Sequence, residues 1–137
     1  MTAKPAIFLG LAALAAALPA AAHHSFSAEY DANAMVTLTG VVNKVDWTNP
    51  HVHLYVDVKD DSGKVTTWDM EGFPPSKLVR SGFARDLVKS GDTITITGFR
   101  AKDNSPRASR CEVTTADGAK HNFGGAGEFQ AVVVPAR

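Results

Sequence analysis

The chain has 137 residues, 45% of them hydrophobic and 20% charged, with 14 basic side chains against 14 acidic ones. That length fits one domain, and the apolar fraction excludes wholesale disorder. The even charge removes the usual argument for nucleic-acid binding, which rests on clustered basic residues. The single cysteine, Cys111, excludes an internal disulfide framework and any multi-cysteine zinc or iron–sulfur site.

The first 22 residues read as an address. Lys4 gives a short positive start, and Ala6 to Leu18 is an uncharged apolar run of 13 residues. As a helix that run spans about 20 Å, short of a hydrocarbon core of roughly 30 Å, which argues against a membrane anchor. Leu18-Pro19 ends it, and Ala20-Ala21-Ala22 offers small residues for cleavage. Residues 1–22 are therefore expected to be a secretory signal peptide, removed after Ala22 or after Ala20. No cysteine follows, so nothing suggests a lipoprotein. The expected destination is a bacterial periplasm or the exterior.

Residues 23–34 are polar and aperiodic and read as an arm. Val36 to Val42 is rich in β-branched residues and continues to Val45 and Trp47, a long first strand in which Gly40 is expected to bend or bulge. Thr48-Asn49-Pro50 is turn chemistry. His51 to Lys59 alternates: Val52, Leu54, Val56 and Val58 share one face, and His51, His53, Tyr55 and Asp57 share the other. Asp61-Ser62-Gly63 reads as a three-residue hairpin loop with Gly63 left-handed. That loop sets Asp60 opposite Lys64, Val56 opposite Trp68, Leu54 opposite Met70, Tyr55 opposite Asp69 and His53 opposite Glu71. A slip of one residue would put Trp68 and Met70 among the polar side chains.

Phe73-Pro74-Pro75 breaks the strand. Ser76 to Ser81 is expected to form a short helix ended by Gly82, and Ala84 to Val88 a second turn or helix closed by Gly91. Asp92 to Phe99 alternates with Ile94 and Ile96 inward. Asp103 to Pro106 is a loop, Ser109 to Thr115 a fifth strand, Asp117-Gly118 a turn, and Lys120 to Phe123 a short closing strand. Residues 124–137 read as a glycine-rich linker and tail. Three strands, a short helix and two strands point to an all-β fold, a small five-stranded OB-like β-barrel over residues 35–123. An open sandwich with more strands is the competing architecture. Cys111 belongs on an inward strand face as a small core residue. Trp68 belongs to the core by register, and Trp47 covers the barrel end or makes an outside contact.

His23-His24-Ser25-Phe26, Val36 to Gly40, and Val45-Asp46-Trp47-Thr48-Asn49-Pro50-His51 together resemble an exported bacterial family of unknown function, domain of unknown function 6152. So do Leu54 to Asp60, Gly91-Asp92, Gly98 to Asp103, and Asp117-Gly118. Trp47 to His51 is the most specific part, and the resemblance runs from His23 to Gly125. It implies export and a compact β domain, and it lends no activity. His53 and Cys111 stand outside the pattern that carries it.

The chemistry-bearing residues are histidines. His51 and His53, two apart on one strand, leave the same face with Cα atoms about 6.6 Å apart. That spacing suits one shared metal ion, with Glu71 adding a carboxylate oxygen. Two nitrogens and a carboxylate favour copper, zinc or nickel over calcium or magnesium. The alternative is a solvated polar face. His23 becomes the first residue if cleavage follows Ala22, and its amine and imidazole then chelate copper. If cleavage follows Ala20, His23 becomes the third residue, and the amine, two backbone amides and its imidazole then suit a square-planar copper(II) or nickel(II) site. The alternative is that His23 and His24 belong to a plain arm. The two pairs converge if the arm folds onto the His51/His53 face. No Gly-x-Ser-x-Gly, phosphate loop or His-Glu-x-x-His appears, so catalysis is not expected. Arg80, Arg85, Arg100, Lys102, Arg107 and Arg110 either ring a shallow anion or partner site or serve as ordinary surface charge. The expected function is an exported binding or interaction module; the alternative is a periplasmic copper- or zinc-binding protein using His51, His53, Glu71, His23 and His24. The expected partners are a metal ion or a periplasmic protein, with no nucleic acid and no stable membrane insertion.

Overall fold

A computed structural model describes residues 26–125. The expected signal peptide, His23, His24 and the tail beyond Gly125 lie outside the described residues. The elements run α1 (Phe26–Glu29), β1 (Tyr30–Asp46), β2 (His53–Lys59), β3 (Val65–Glu71), α2 (Pro75–Arg80), β4 (Thr93–Ala101), β5 (Arg107–Thr114) and β6 (Lys120–Asn122). The expected order of three strands, a helix and two strands is present, followed by the expected short closing strand as β6 and preceded by α1, which the sequence did not suggest.

The β2–β3 hairpin has the expected register. Val56 faces Trp68, Leu54 faces Met70, Tyr55 faces Asp69 and His53 faces Glu71. Gly63 sits at φ 86°, a conformation only glycine takes cheaply, and Asp60 N–H donates to Lys64 O at 2.9 Å to close the turn. Pairing extends past the strand ends, because Gly72 N–H donates to Val52 O and Val52 N–H to Phe73 O. That extension brings His51 alongside Gly72.

Five strands close into a ring. β1 pairs with β2 and β4, β2 with β3, and β4 with β5, all antiparallel. The ring closes where Asp69–Glu71 of β3 run parallel to Arg107–Ser109 of β5. Closure satisfies edge groups that would otherwise be open to another chain. β6 lies outside the ring on β5. The inward residues of the hairpin (Val52, Leu54, Val56, Trp68, Met70) meet Ile94 and Ile96 of β4 and Cys111 and Val113 of β5 in one core. Leu78 of α2 and Phe123 are fully buried and cap it.

Several expectations are corrected. β1 begins at Tyr30, within the stretch read as an arm, because Tyr30 is buried and pairs with Ala101. β1 shifts register between Val42 and Lys44 against β2 and between Tyr30 and Met35 against β4, not at Gly40. Gly40 answers a different need: a Cβ there would collide with the backbone carbonyl of Asp57. β5 starts at Arg107, two residues early, while Ala84 to Val88 takes the turn of the two forms expected there.

Gly98 shows how tightly the core is filled. A Cβ there would lie 2.7 Å from Cys111 Sγ. We expect Gly98→Ala to cost about 1–3 kcal/mol in urea denaturation. Cys111→Ala removes the obstructing sulfur, so the double variant should cost less than the two single changes added. Strict additivity would show that the sulfur is not the obstacle.

Candidate functional site

Strand alternation puts the apolar residues of β2 and β3 inside and leaves His53, Tyr55, Asp57, Thr67, Asp69 and Glu71 outside. These side chains form an ordered polar face. Asp57 accepts from Thr67 Oγ1 at 2.6 Å and from Asn43 Nδ2 at 3.0 Å. Those donors hold its carboxyl below the usual range. The Lys44 ammonium lies 4.9 Å from the Tyr55 ring centre and 3.5 Å from Asp46 Oδ2.

His53 leans along this face toward Asp69. Its Nδ1 donates to Asp69 Oδ1 at 2.7 Å, and its ring stacks on Tyr55 with centroids 6.2 Å apart. The hydrogen bond to Asp69 raises the His53 pKa above its ordinary 6.5; burial opposes this, and the charges of Asp69, Glu71 and Asp46 reinforce it.

His51 leans the other way. Its Nδ1 faces Gly72 O at 2.8 Å. A carbonyl only accepts, so Nδ1 carries a proton and Nε2 is left outside that bond. That Nε2 stands 3.9 Å from Glu71 Oε1. The other oxygen of Glu71, Oε2, accepts from the Tyr30 hydroxyl at 2.8 Å. Burial and the Glu71 carboxylate push the Tyr30 pKa far up, so the phenol stays a donor. Gly72 is also a fixed point, because a Cβ there would meet the Phe123 ring at 2.7 Å.

His51, His53 and Glu71 thus share the expected outer side, yet the two imidazoles take separate partners. Among the described residues, no group of three or more His, Cys, Asp or Glu side chains is disposed to hold a metal ion. Cys111 is fully buried, and burial pushes its thiol pKa up, which removes it as a nucleophile.

Tyr30 is the residue beside this face that the sequence pattern hid, since it sits in the polar arm. The Phe26–Tyr30 spacing of four was the available signal. The Phe26 ring stacks on Tyr30 at 5.7 Å and meets Phe99 edge-on at 5.6 Å. Four of the scattered basic residues lie against aromatic rings. Arg85 lies over Trp47, Arg100 over Trp68, Arg107 over Tyr30 and Arg110 over Phe26. Trp47 also packs against Phe83 and so covers the ring end.

A cavity of about 350 Å³ opens elsewhere, lined in part by Leu87, Asp92, Ile94, Asp117 and His121. Its carboxylates are engaged in building turns. Asp117 Oδ1 accepts from Thr115 Oγ1 and Ala119 N–H, and Asp92 Oδ2 from Lys89 N–H. On the β2–β3 face Glu71 instead meets Tyr30 and His51, residues distant from it in sequence. No described helix is long and apolar enough to cross a membrane.

The model of the family described as "Family of unknown function (DUF6152)" matches residues 11–109. No curated protein and no solved structure matches the chain.

Two measurements check the site. The raised His53 pKa means that its contribution to stability is fully present below about pH 6.5, the unfolded value, and is lost as pH rises through the folded value. Urea midpoints of wild type and His53→Gln should therefore differ most near pH 5 and converge at alkaline pH; a constant gap would show that the pair does not titrate. Tyr30→Phe removes the donor to a half-buried carboxylate and should cost about 1–2 kcal/mol in the same assay. An unchanged midpoint would show that water replaces the phenol at no cost.

Proposed function

The chain belongs to the DUF6152 family, a family of unknown function, and from that premise we propose that it is an exported, non-catalytic binding module whose ligand face is the outer side of β2 and β3. One observation carries this reading. His51, Glu71, His53 and Asp69 are half-buried, and each is oriented by a hydrogen bond, so the face is preorganised before any ligand arrives. In small five-stranded rings of this strand order, the second and third strands with the adjoining loops are the usual ligand surface. The carboxylates of Asp46, Asp57, Asp69 and Glu71 on this side oppose a polyanion, so nucleic acid is not the partner. A small polar molecule, a metal ion or a periplasmic protein suits the face better. The finer alternative, a copper- or zinc-binding protein drawing on His51, His53, Glu71, His23 and His24, uses this same face.

Export and face are tested together. Protein isolated from the periplasm of an expressing bacterium should begin at His23, or at Ala21, by intact mass. Its ¹⁵N-labelled form should show amide shifts at His53, Tyr55, Asp69 and Glu71 when mixed with the dialysable low-mass fraction of a periplasmic extract. Retention of residues 1–22 in the membrane fraction overturns the export half. Shifts confined to other strands, or none, overturn the assignment of the face.

A further inference from the structure

We infer that the cavity between the start of β4, the turns of residues 84–92 and the β5–β6 turn is a second binding site, for a small organic ammonium ion. It shares no lining residue with the β2–β3 face. Its volume of about 350 Å³ falls within the roughly 300–1,000 Å³ of small-molecule sites. Leu87 and the core residue Ile94 give it apolar walls. Asp92 and Asp117 stand in the same lining, and among the described residues no Lys or Arg does. A recess of one charge sign with apolar walls concentrates ions of the opposite sign.

The walls are pinned before a ligand arrives. Val42 N–H donates to Asp92 O and Gly91 N–H to Val42 O, both at 2.8 Å, which fastens this stretch to β1. Across the cavity, Gly118 N–H donates to Thr115 O at 2.9 Å and Thr115 N–H to Ala119 O at 3.0 Å. His121 Nε2 lies 3.3 Å from Thr115 Oγ1, and the Phe83 ring meets the imidazole edge-on with centroids 6.2 Å apart. The imidazole is therefore a fixed part of the lining. Preformed walls spare a ligand the entropy of ordering them.

Each carboxylate commits one oxygen to that framework. Asp92 Oδ2 accepts from Lys89 N–H at 2.8 Å. Asp117 Oδ1 accepts from Thr115 Oγ1 at 2.5 Å and from Ala119 N–H at 3.1 Å. These bonds orient the carboxylates and leave Asp92 Oδ1 and Asp117 Oδ2 for a ligand. The Thr115 hydroxyl also holds the Asp117 carboxyl below its usual range, so it is charged at neutral pH. An ammonium group carries three donors and matches two carboxylate oxygens, while its carbon chain covers Leu87 and Ile94. A bare metal ion fits less well, because no group of three or more His, Cys, Asp or Glu is disposed to hold one among the described residues. An anion meets two like charges, and a neutral molecule leaves both uncompensated.

The test titrates the ¹⁵N-labelled chain, as isolated from the expressing bacterium, with n-propyl-, n-butyl- and n-pentylammonium chloride at fixed ionic strength. Amide shifts are expected at Thr93, Ile94, Thr115, Ala116, Asp117 and His121. Affinity should tighten by about fourfold per added methylene, the signature of a chain buried in the cavity. 1-Pentanol should bind far more weakly than n-pentylammonium. Asp92→Asn and Asp117→Asn keep the turn-building acceptor and remove the charge, and each should weaken n-pentylammonium binding by about fivefold. Asp103→Asn is the matched control. Asp103 Oδ1 accepts from Ser105 N–H and Ser105 Oγ in a turn that does not line the cavity, so affinity should not change. Shifts centred on His53, Asp69 and Glu71 overturn the proposal, and so does affinity that ignores chain length. Equal binding of 1-pentanol overturns it by showing an apolar recess without charge recognition. Calcium or zinc chloride shifting the same residues at lower concentration than any ammonium overturns it by assigning the cavity to a metal. The shift pattern and the chain-length series are read on wild type, so a variant that misfolds leaves the answer intact.

Discussion

The pairing register of β2 against β3 is the constraint from which the rest of the molecule follows. Side chains on a strand alternate with a period of two, so a slip of one residue would exchange the two faces entirely. In the observed register Leu54, Val56, Trp68 and Met70 fill the core while His53, Asp69 and Glu71 stand outside. Burying the four apolar side chains is worth several kcal/mol against leaving them in water, far more than the surface pairs return. The hydrophobic inner face therefore decides where the polar chemistry sits, and Gly63 at φ 86° makes the turn that delivers this register.

Ring closure converts that hairpin into a platform. The parallel contact between Asp69–Glu71 and Arg107–Ser109 stiffens the stretch of β3 that bears the two acidic side chains of the face. From the β4–β5 side, Lys102 N–H donates to Glu29 O, and Arg107 reaches Glu29 Oε2 at 3.7 Å. These contacts seat α1 and place the Tyr30 phenol under Glu71. The aromatic side chains Phe26, Tyr30, Trp47 and Trp68 each carry an arginine on one ring face. Such contacts stabilise modestly and keep the guanidinium groups against the domain. They engage four of the six basic residues that, as a bare list of positions, suggested an anion or partner site.

The imidazoles show where reading a sequence stops. Their spacing of two placed both on one side of the sheet, and that is where they lie. Which way each ring leans is a matter of neighbours. His53 finds Asp69, and His51 finds a carbonyl freed by the extended pairing around Gly72. Tyr30 was hidden for a similar reason. Its four-residue separation from Phe26 was visible, but its setting depends on Ala101 and Arg107, far along the chain. Gly40 was legible as special and misread in kind: a close approach of β2 looks the same in sequence as a bulge.

By itself the sequence determined the strand order, the hairpin register, the inward and outward faces and the burial of Cys111. All of these follow from alternation and turn chemistry within a few residues, or from the burial preference of a small apolar side chain. Only the tertiary structure decided that β3 closes on β5, that α1 seats Tyr30 beneath Glu71, and that His51 and His53 lean to different acceptors. Those choices depend on groups tens of residues apart, and no local pattern records the distance between them once the ring has closed.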